Sequence, residues 1–181
     1  MKTARTEIRA ACKSDYDAIW KIFKAVVVDG DTYAFDRQMS RTDALAYWFA
    51  PGTHTYVAEQ KSTRRSQELQ LAGTYILRAN QSGGGAHVAN AAFMVAPDAR
   101  GKGIGRAMGQ HCLDQARGFG FRAMQFNFVV STNASAIALW QSLGFVIVGT
   151  LPAAFRHPKN GYVDVYVMFR SLVDGATAPS R

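Results

Sequence analysis

Apolar positions along this chain switch between a spacing of two and a spacing near 3.6. Glu7–Ala11 reads as a short strand. Ser14 suits a helix N-cap, and Ile19, Trp20, Phe23, Val26 and Val27 then share one helical face to about Val28, where Asp29-Gly30-Asp31 ends the helix. A second helix is predicted from about Thr42 to Phe49, with Leu45, Trp48 and Phe49 apolar and Pro51-Gly52 as its stop. His54–Glu59 and Leu71–Ala79 read as strands, and the polar, charged Gln60–Gln70 between them reads as a solvated hairpin loop. Asn80–Gly85 is a further turn and His87–Val95 the next strand. Ile104, Ala107, Met108, Cys112 and Ala116 then fall at helical spacing. Met124–Val130 is a strand, a helix follows Asn133, and Phe145–Thr150 and Tyr162–Phe169 are the last two strands. Asp174–Arg181 reads as a flexible, frayed tail.

The predicted order is strand, helix, helix, three strands, helix, strand, helix, strand, strand. It implies an α/β protein with one mixed sheet of seven strands and helices on both faces. The strand–helix–strand units at its centre call for parallel pairing there. With 181 residues, 48% of them hydrophobic and 19% charged, the chain suits one globular domain, residues 1–173, and not a disordered protein. Cys12 and Cys112 are too few for a disulfide framework or a zinc site, and both read as buried free thiols in a reducing cytosol. No apolar run approaches the roughly 18 residues of a membrane span. Met1–Thr6 is basic with no apolar segment behind it, so no secretory signal is expected. The reading is a cytoplasmic protein that does not enter the membrane.

Charge adds one clue. The formal net charge of +8 favours an anionic partner, either nucleic acid or a phosphorylated small molecule. Arg64-Arg65 aside, the cations are spread along the chain without a basic block interleaved with aromatics, which disfavours nucleic acid. The four histidines, at 54, 87, 111 and 157, show no ligand spacing; no metal site is expected and none of them is given a role.

The chemistry concentrates at Val95-Ala-Pro-Asp-Ala-Arg-Gly-Lys-Gly-Ile-Gly-Arg106, where a strand turns into a helix. Gly101, Gly103 and Gly105 sit at the turn with Arg100, Lys102 and Arg106 around them. Glycine lets backbone approach a ligand closely, and a helix N-terminus presents free N–H groups and partial positive charge, so together they suit a phosphate or pyrophosphate. A glycine cluster alone is also compatible with tight packing on a strand; the flanking elements and cations favour the anion site. It is not a P-loop, since Gly103 follows Lys102 where Ser or Thr is needed. It is not a dinucleotide fingerprint either, since Arg106 and Met108 occupy the third-glycine positions.

Arg100-Gly-Lys-Gly-Ile-Gly105 instead resembles the coenzyme A pyrophosphate loop of the GNAT N-acetyltransferase superfamily. Ser131-Thr-Asn-Ala-Ser-Ala-Ile-Ala-Leu-Trp-Gln-Ser-Leu-Gly-Phe145 resembles a second element of that family, and the likeness spans roughly residues 6–170. The resemblance implies a mostly antiparallel sheet whose central parallel pair splays. Acetyl-CoA would then be co-substrate, with its diphosphate on Arg100, Gly101, Lys102, Gly103, Ile104, Gly105 and Arg106. Pantetheine would lie between the strands ending at Val95 and Val130. Met94 and Val95 would lend backbone groups to it and to the acetyl carbonyl. Asn133 would contact the pantetheine arm, although the residue by itself reads as a helix N-cap. Trp140 stands where many relatives carry a tyrosine that protonates the leaving thiolate. Indole cannot do that near neutral pH, so Trp140 reads as core packing that also walls the thiol end, with water or Tyr166 left as proton donor.

Asn90 and Asn127 each interrupt an apolar strand, where asparagine is disfavoured. Alternation places Asn90 with Val88, Ala92 and Met94, and Asn127 with Gln125 and Val129. Either the two amides converge on the acetyl group or they are ordinary satisfied sheet residues. With Gly30-Asp-Thr-Tyr33, Thr132-Asn133, Leu139-Trp140 and Tyr162-Val-Asp164, they also resemble a narrower fungal group that acetylates proline analogues such as azetidine-2-carboxylate. That likeness implies a small amino or imino acid held by Tyr33, Asn90 and Asn127, and direct attack of its neutral amine on the thioester. Glu59 and Asp164 are the nearest candidate bases, with proton removal through ordered water, or binding of the minor neutral amine, as the expectation. Acetylation of a protein N-terminus or lysine, and nucleic-acid binding, are the competing readings. A homodimer is implied by analogy only.

Overall fold

The computed structural model describes residues 6–61 and 69–173. Seven strands are present: β1 (Glu7–Ala10), β2 (His54–Lys61), β3 (Leu69–Ala79), β4 (Val88–Val95), β5 (Ala123–Val130), β6 (Val146–His157) and β7 (Gly161–Ser171). Four helices accompany them: α1 (Tyr16–Val27), α2 (Arg41–Trp48), α3 (Ile104–Gly118) and α4 (Ala134–Ser142). The strands form one sheet in the order β1-β2-β3-β4-β5-β7-β6. Every neighbouring pair is antiparallel except β4–β5. That parallel pair is joined only at Val88–Ala123 and Ala89–Met124 and then splays, so the expected topology is the one found. The tail after residue 173 lies outside the described residues.

Successive residues of a strand point to opposite faces, and two of them show which helices cover which side. Thr74 Oγ1 accepts the Trp48 indole N–H at 2.9 Å and so holds α2. Tyr75 places its hydroxyl 2.6 Å from His111 Nδ1 on α3. Residues Ile19, Phe23, Val26 and Trp48 of α1 and α2 are buried on the first side; Met108, Cys112 and Leu113 of α3 are buried on the second. Gly73 permits the close seating of α3. A Cβ there would come within 2.8 Å of Met108 Cε and 2.9 Å of the Met94 carbonyl oxygen.

Several expectations are corrected. Ser14 does not cap α1; it lies in a short 3-10 turn, Lys13–Asp15. Asp15 anchors that turn by accepting the Cys12 backbone N–H at 2.8 Å and two guanidinium N–H bonds from Arg9, at 2.7 and 2.9 Å. Cys12 is exposed, because it lies beyond the end of β1; Cys112 is the buried thiol. β2 and β3 continue into the polar segment, pairing as far as Lys61–Leu69, and residues 62–68 lie outside the described residues. β6 runs seven residues past the expected end at Thr150. It is an edge strand with Val146, Ile147, Val148 and Leu151 all exposed, so burial leaves no alternation to read. An irregularity between Leu151 and Phe155, with Ala153 at φ 50°, further disguises it. Among the described residues no helix is long and apolar enough to cross a membrane.

Arg9 also donates to Glu59 from Nε at 3.0 Å and from Nη2 at 2.6 Å, tying β1, the 3-10 turn and β2 together. The Arg9 hydrogen bonds hold the Asp15 carboxyl down, from 3.8 to about 2. A carboxyl held low stabilises the fold fully above its unfolded value, and that contribution is lost as pH falls through about 2. Asp15→Asn is therefore expected to cost about 2 kcal/mol near neutral pH and to flatten the acid limb of the urea midpoint against pH; an unchanged limb would refute the assignment. Gly73→Ala is expected to destabilise by about 1–3 kcal/mol through overpacking, read as a lowered urea midpoint.

Candidate active site

Where β4 and β5 part, a cleft of about 950 Å³ opens through the sheet. Its α1–α2 side is lined by Asp31 to Phe35, Tyr47 and Arg78, and its other side by the turn into α3 and the start of α4. The divergence leaves one edge of β4 without a strand partner. Ala96 N–H donates to Ala72 of β3 and Val88 carbonyl accepts from Asn80 at the end of β3, so the even residues of β4 turn their backbone groups to β3. The odd residues, Ala91, Phe93 and Val95, turn theirs to the fork; at its closed end His87 carbonyl accepts Arg122 N–H at 2.9 Å. Met94 therefore presents its backbone to β3, while its side chain is 1% exposed. Ala91, Phe93 and Val95 are the residues whose backbone faces the gap.

Tyr33 uses that edge. Its hydroxyl donates to the Phe93 carbonyl at 2.6 Å and accepts the Phe93 N–H at 3.0 Å. One side chain from the segment after α1 thus takes the place of a missing strand at one residue. Burial pushes the Tyr33 phenol up, so it holds its proton.

The turn into α3 is built for an anion. Gly103 is the N-cap residue, in the left-handed region at φ 80°, with no side chain capping the helix. The first backbone N–H with an intrahelical acceptor is that of Ala107, on Gly103 carbonyl at 3.0 Å. The N–H groups of Ile104, Gly105 and Arg106 precede it and point out of the helix end. A Cβ at Gly101 or Gly103 would meet nothing within 4 Å, so the space over the turn is open. Arg100, Gly101, Gly103, Ile104, Gly105 and Arg106 line the cleft. Arg106 is partly engaged, donating to Ser142 Oγ on α4 at 2.8 Å. Lys102 is exposed and stands outside the lining.

The remaining sequence-predicted residues divide. Asn133 caps α4, its Oδ1 accepting Ala136 N–H at 3.2 Å and the Ser135 hydroxyl at 3.1 Å, and it also lines the cleft. Trp140 is 8% exposed and packs on Phe93, Phe126 and Phe145, with ring centroids 4.8, 4.7 and 6.1 Å away. Asn90 reaches across the fork and donates from Nδ2 to Gln125 carbonyl at 2.9 Å. Asn127 accepts from Gln125 Nε2 at 2.8 Å and donates to Asn80 Oδ1 at 2.7 Å. Both asparagines line the cleft and both are hydrogen-bonded to protein. Asn127 shares a side with Gln125, to which it is bonded, as alternation expects. A β-bulge between Phe126 and Val129 in the pairing with β7 then shifts the register, and Val129 is buried.

Neither candidate base reaches the site. Glu59 is held by Arg9 on β2, two strands from β4. Asp164 Oδ1 accepts Ala153 N–H at 2.9 Å between β6 and β7. Tyr166 packs against the core from β7 and does not line the cleft. Sequence reasoning passed over Arg78, Asp31 and His157, which do line it. Arg78 donates to the Tyr47 hydroxyl at 2.9 Å and lies 4.9 Å over that ring; a guanidinium closing the apolar run Tyr-Ile-Leu was its signal. His157 Nδ1 accepts the N–H groups of Lys159 and Asn160 at 3.1 and 3.2 Å, which leaves Nε2 to carry the proton of the neutral ring. Nothing local in the sequence marks Asp31 or His157 as site residues, because they arrive from distant connections.

Known proteins share this architecture. The Acetyltransferase (GNAT) family matches residues 16–145. A GCN5-related N-acetyltransferase from Kribbella flavida is 43% identical, with a TM-score of 0.85 over 92% of this chain and 97% of its own. N-acetyltransferase aca1 of Schizosaccharomyces pombe is 34% identical over 158 residues, 80% of this chain and 76% of the relative. The yncA protein of Salmonella typhimurium, solved with its cofactor acetyl-CoA, is 26% identical, with a TM-score of 0.79 over 98% of this chain and 100% of that one. The forked sheet and the glycine turn into α3 are thereby accounted for: the chain belongs to the GNAT acetyltransferase family.

Proposed function

We propose that this N-acetyltransferase moves the acetyl group of acetyl-CoA to the amine of a small amino or imino acid. The observation that carries the reading is the two-sided cleft. One side offers a helix N-terminus and cations to an anion; the other offers amides and Arg78 to a small polar molecule. The diphosphate sits on the free N–H groups of Ile104, Gly105 and Arg106, with Gly101 and Gly103 giving it room and Arg100 and Arg106 giving it countercharge. Pantetheine runs along the open edge of β4, bonded to backbone of Val95, with Asn133 beside it and Trp140 closing the thiol end.

The acetyl carbonyl takes a backbone N–H at the fork, which stabilises the oxyanion as the amine attacks. The C–N bond forms, the tetrahedral intermediate collapses, the C–S bond breaks, and the thiolate leaves to take a proton from water. On the acceptor side, Arg78 has no acidic partner among the described residues, so it suits the carboxylate of an amino acid. Asn90 Oδ1 and the second N–H of Asn127 are left to orient it. Tyr33, bound to Phe93, holds the α1–α2 connection at the cleft and supports a small acceptor over a protein tail. The likeness to enzymes of proline analogues supports the same class. The exposed apolar residues of edge strand β6 support a homodimer, and a cytoplasmic setting fits the free thiols.

Transfer of labelled acetyl from acetyl-CoA to a panel of amino acids, imino acids and peptides tests the proposal. Transfer to peptides alone, or no coenzyme A binding by calorimetry, would end it. Gly103→Ala is expected to weaken acetyl-CoA binding roughly tenfold or more, because a side chain at φ 80° strains the turn and fills the anion site. Arg78→Gln is expected to raise the KM of a free amino acid roughly tenfold or more while leaving the KM of acetyl-CoA and of the corresponding amino-acid amide near wild type. Asn127→Ala is expected to raise the acceptor KM far more than the acetyl-CoA KM; equal effects would remove Asn127 from the acceptor site.

A further inference from the structure

Acetyl transfer to an amine has a proton problem. An aliphatic amine near neutral pH is almost wholly ammonium, which has no lone pair to attack with. The residues first considered as bases are committed elsewhere, Glu59 to Arg9 and Asp164 to Ala153. Among the described residues that line the cleft there is one carboxylate, Asp31. It is half-buried and makes no hydrogen bond or ion pair within the described residues. A half-buried acid with no partner among the described residues, in a cleft whose other charged lining residues are arginines, is placed to meet a cation from outside.

Its position is not that of a loose loop. Asp31 follows α1, and the connection is fastened on both sides of it. Before it, Arg37 Nε donates to Val28 carbonyl at 2.8 Å and Gly30 N–H donates to Val27 carbonyl at 3.0 Å. After it, Tyr33 is bonded through its hydroxyl to both backbone groups of Phe93 on the forked strand. One residue, Thr32, separates Asp31 from Tyr33, whose hydroxyl is bonded to β4 at the fork. The chain thus delivers a carboxylate to the α1–α2 side of the split, opposite the glycine turn into α3.

We infer that Asp31 is the proton acceptor for the incoming amine. The inference rests on the acetyltransferase reading and deepens it. The ammonium group enters the α1–α2 side and donates an N–H to the Asp31 carboxylate. Transfer of that proton frees the lone pair; nitrogen bonds to the acetyl carbon, the C–S bond breaks, and the second proton shed by nitrogen passes through water to the leaving thiolate. Asp31 then releases its proton to solvent. The balance is ammonium plus thioester giving amide, thiol and one proton. Of the other titratable groups lining the cleft, Tyr33 holds its proton on Phe93, Tyr47 accepts from Arg78, and Arg78, Arg100 and Arg106 are cations. His157 has Nδ1 occupied by two backbone N–H groups. None of these is a base with a free lone pair pre-set for an ammonium proton.

The assignment has a signature that a structural role lacks. With Asp31 ionised, the proton stays inside the enzyme–substrate complex, so kcat/KM for the amine is nearly level from near neutral pH up to the amine pKa. With Asp31→Asn, only free amine reacts, and kcat/KM climbs about tenfold per pH unit up to that pKa. The experiment measures kcat/KM against pH for wild type, Asp31→Asn and Asp31→Glu, with every amine the wild type accepts from the amino-acid and peptide panel. Expected is a loss of roughly a hundredfold or more near pH 7 in Asp31→Asn that shrinks toward parity near the amine pKa, with the level profile partly restored in Asp31→Glu. Acetyl-CoA affinity by calorimetry, unchanged in both variants, shows that they fold. Parallel profiles for wild type and Asp31→Asn would overturn the role of Asp31 while leaving acetyl transfer intact. A wild type that acetylates peptides alone, with the pH signature present, would overturn the small-acceptor reading and leave Asp31 in place. A wild type that acetylates none of the amines would overturn both.

Discussion

Everything in this molecule turns on a parallel strand pair that is allowed only two rungs. Past Ala89 and Met124 the two strands separate, and the odd-numbered backbone groups of β4 face a gap. Backbone N–H and C=O groups without partners are costly to bury, so a fork in the middle of a sheet must be held open by something that satisfies them. Tyr33 does so at Phe93, and the Asn90 amide bridges to Gln125 carbonyl at the crotch.

The fork also sorts chemistry by face. Strand alternation sends Thr74 toward α2 and Tyr75 toward α3, and the same alternation divides the cleft. The glycine turn and the open N-terminus of α3 lie on one side, an anion site made from backbone. The connection after α1, with Asp31, and the Arg78–Tyr47 pair lie on the other, where charge is carried by side chains. A donor bound from one side and an acceptor from the other meet only through the gap, which suits a reaction in which one acyl group changes hands. The aromatic cluster of Phe93, Phe126, Trp140 and Phe145 packs beside the fork.

Much of this could be read from local pattern. The element order, the seven strands and the glycine turn all depend on residues close in sequence. Helix periodicity, turn glycines and the cations flanking Gly101, Gly103 and Gly105 carry their meaning within a dozen residues. The departures have equally local explanations. Edge strand β6 is exposed along most of its length and so shows no alternation, Asp15 rather than Ser14 anchors the start of α1 because Arg9 reaches it from β1, and the bulge between Phe126 and Val129 shifts the register beyond Asn127.

Sequence alone thus determined that a mixed sheet with a parallel centre would carry a glycine turn leading into a helix, because periodicity and backbone freedom are properties of short segments. Tertiary structure decided which side chains meet there. Arg78 from β3, Asp31 from the connection after α1 and His157 from the end of β6 come together only through the folded sheet. It also decided that Glu59 is spent on Arg9, that Met94 turns its backbone to β3, and that Tyr33 binds Phe93 sixty residues away. The physical reason is that pairing register and long-range hydrogen bonds fix which partner a polar group finds, and no short window of sequence contains both partners.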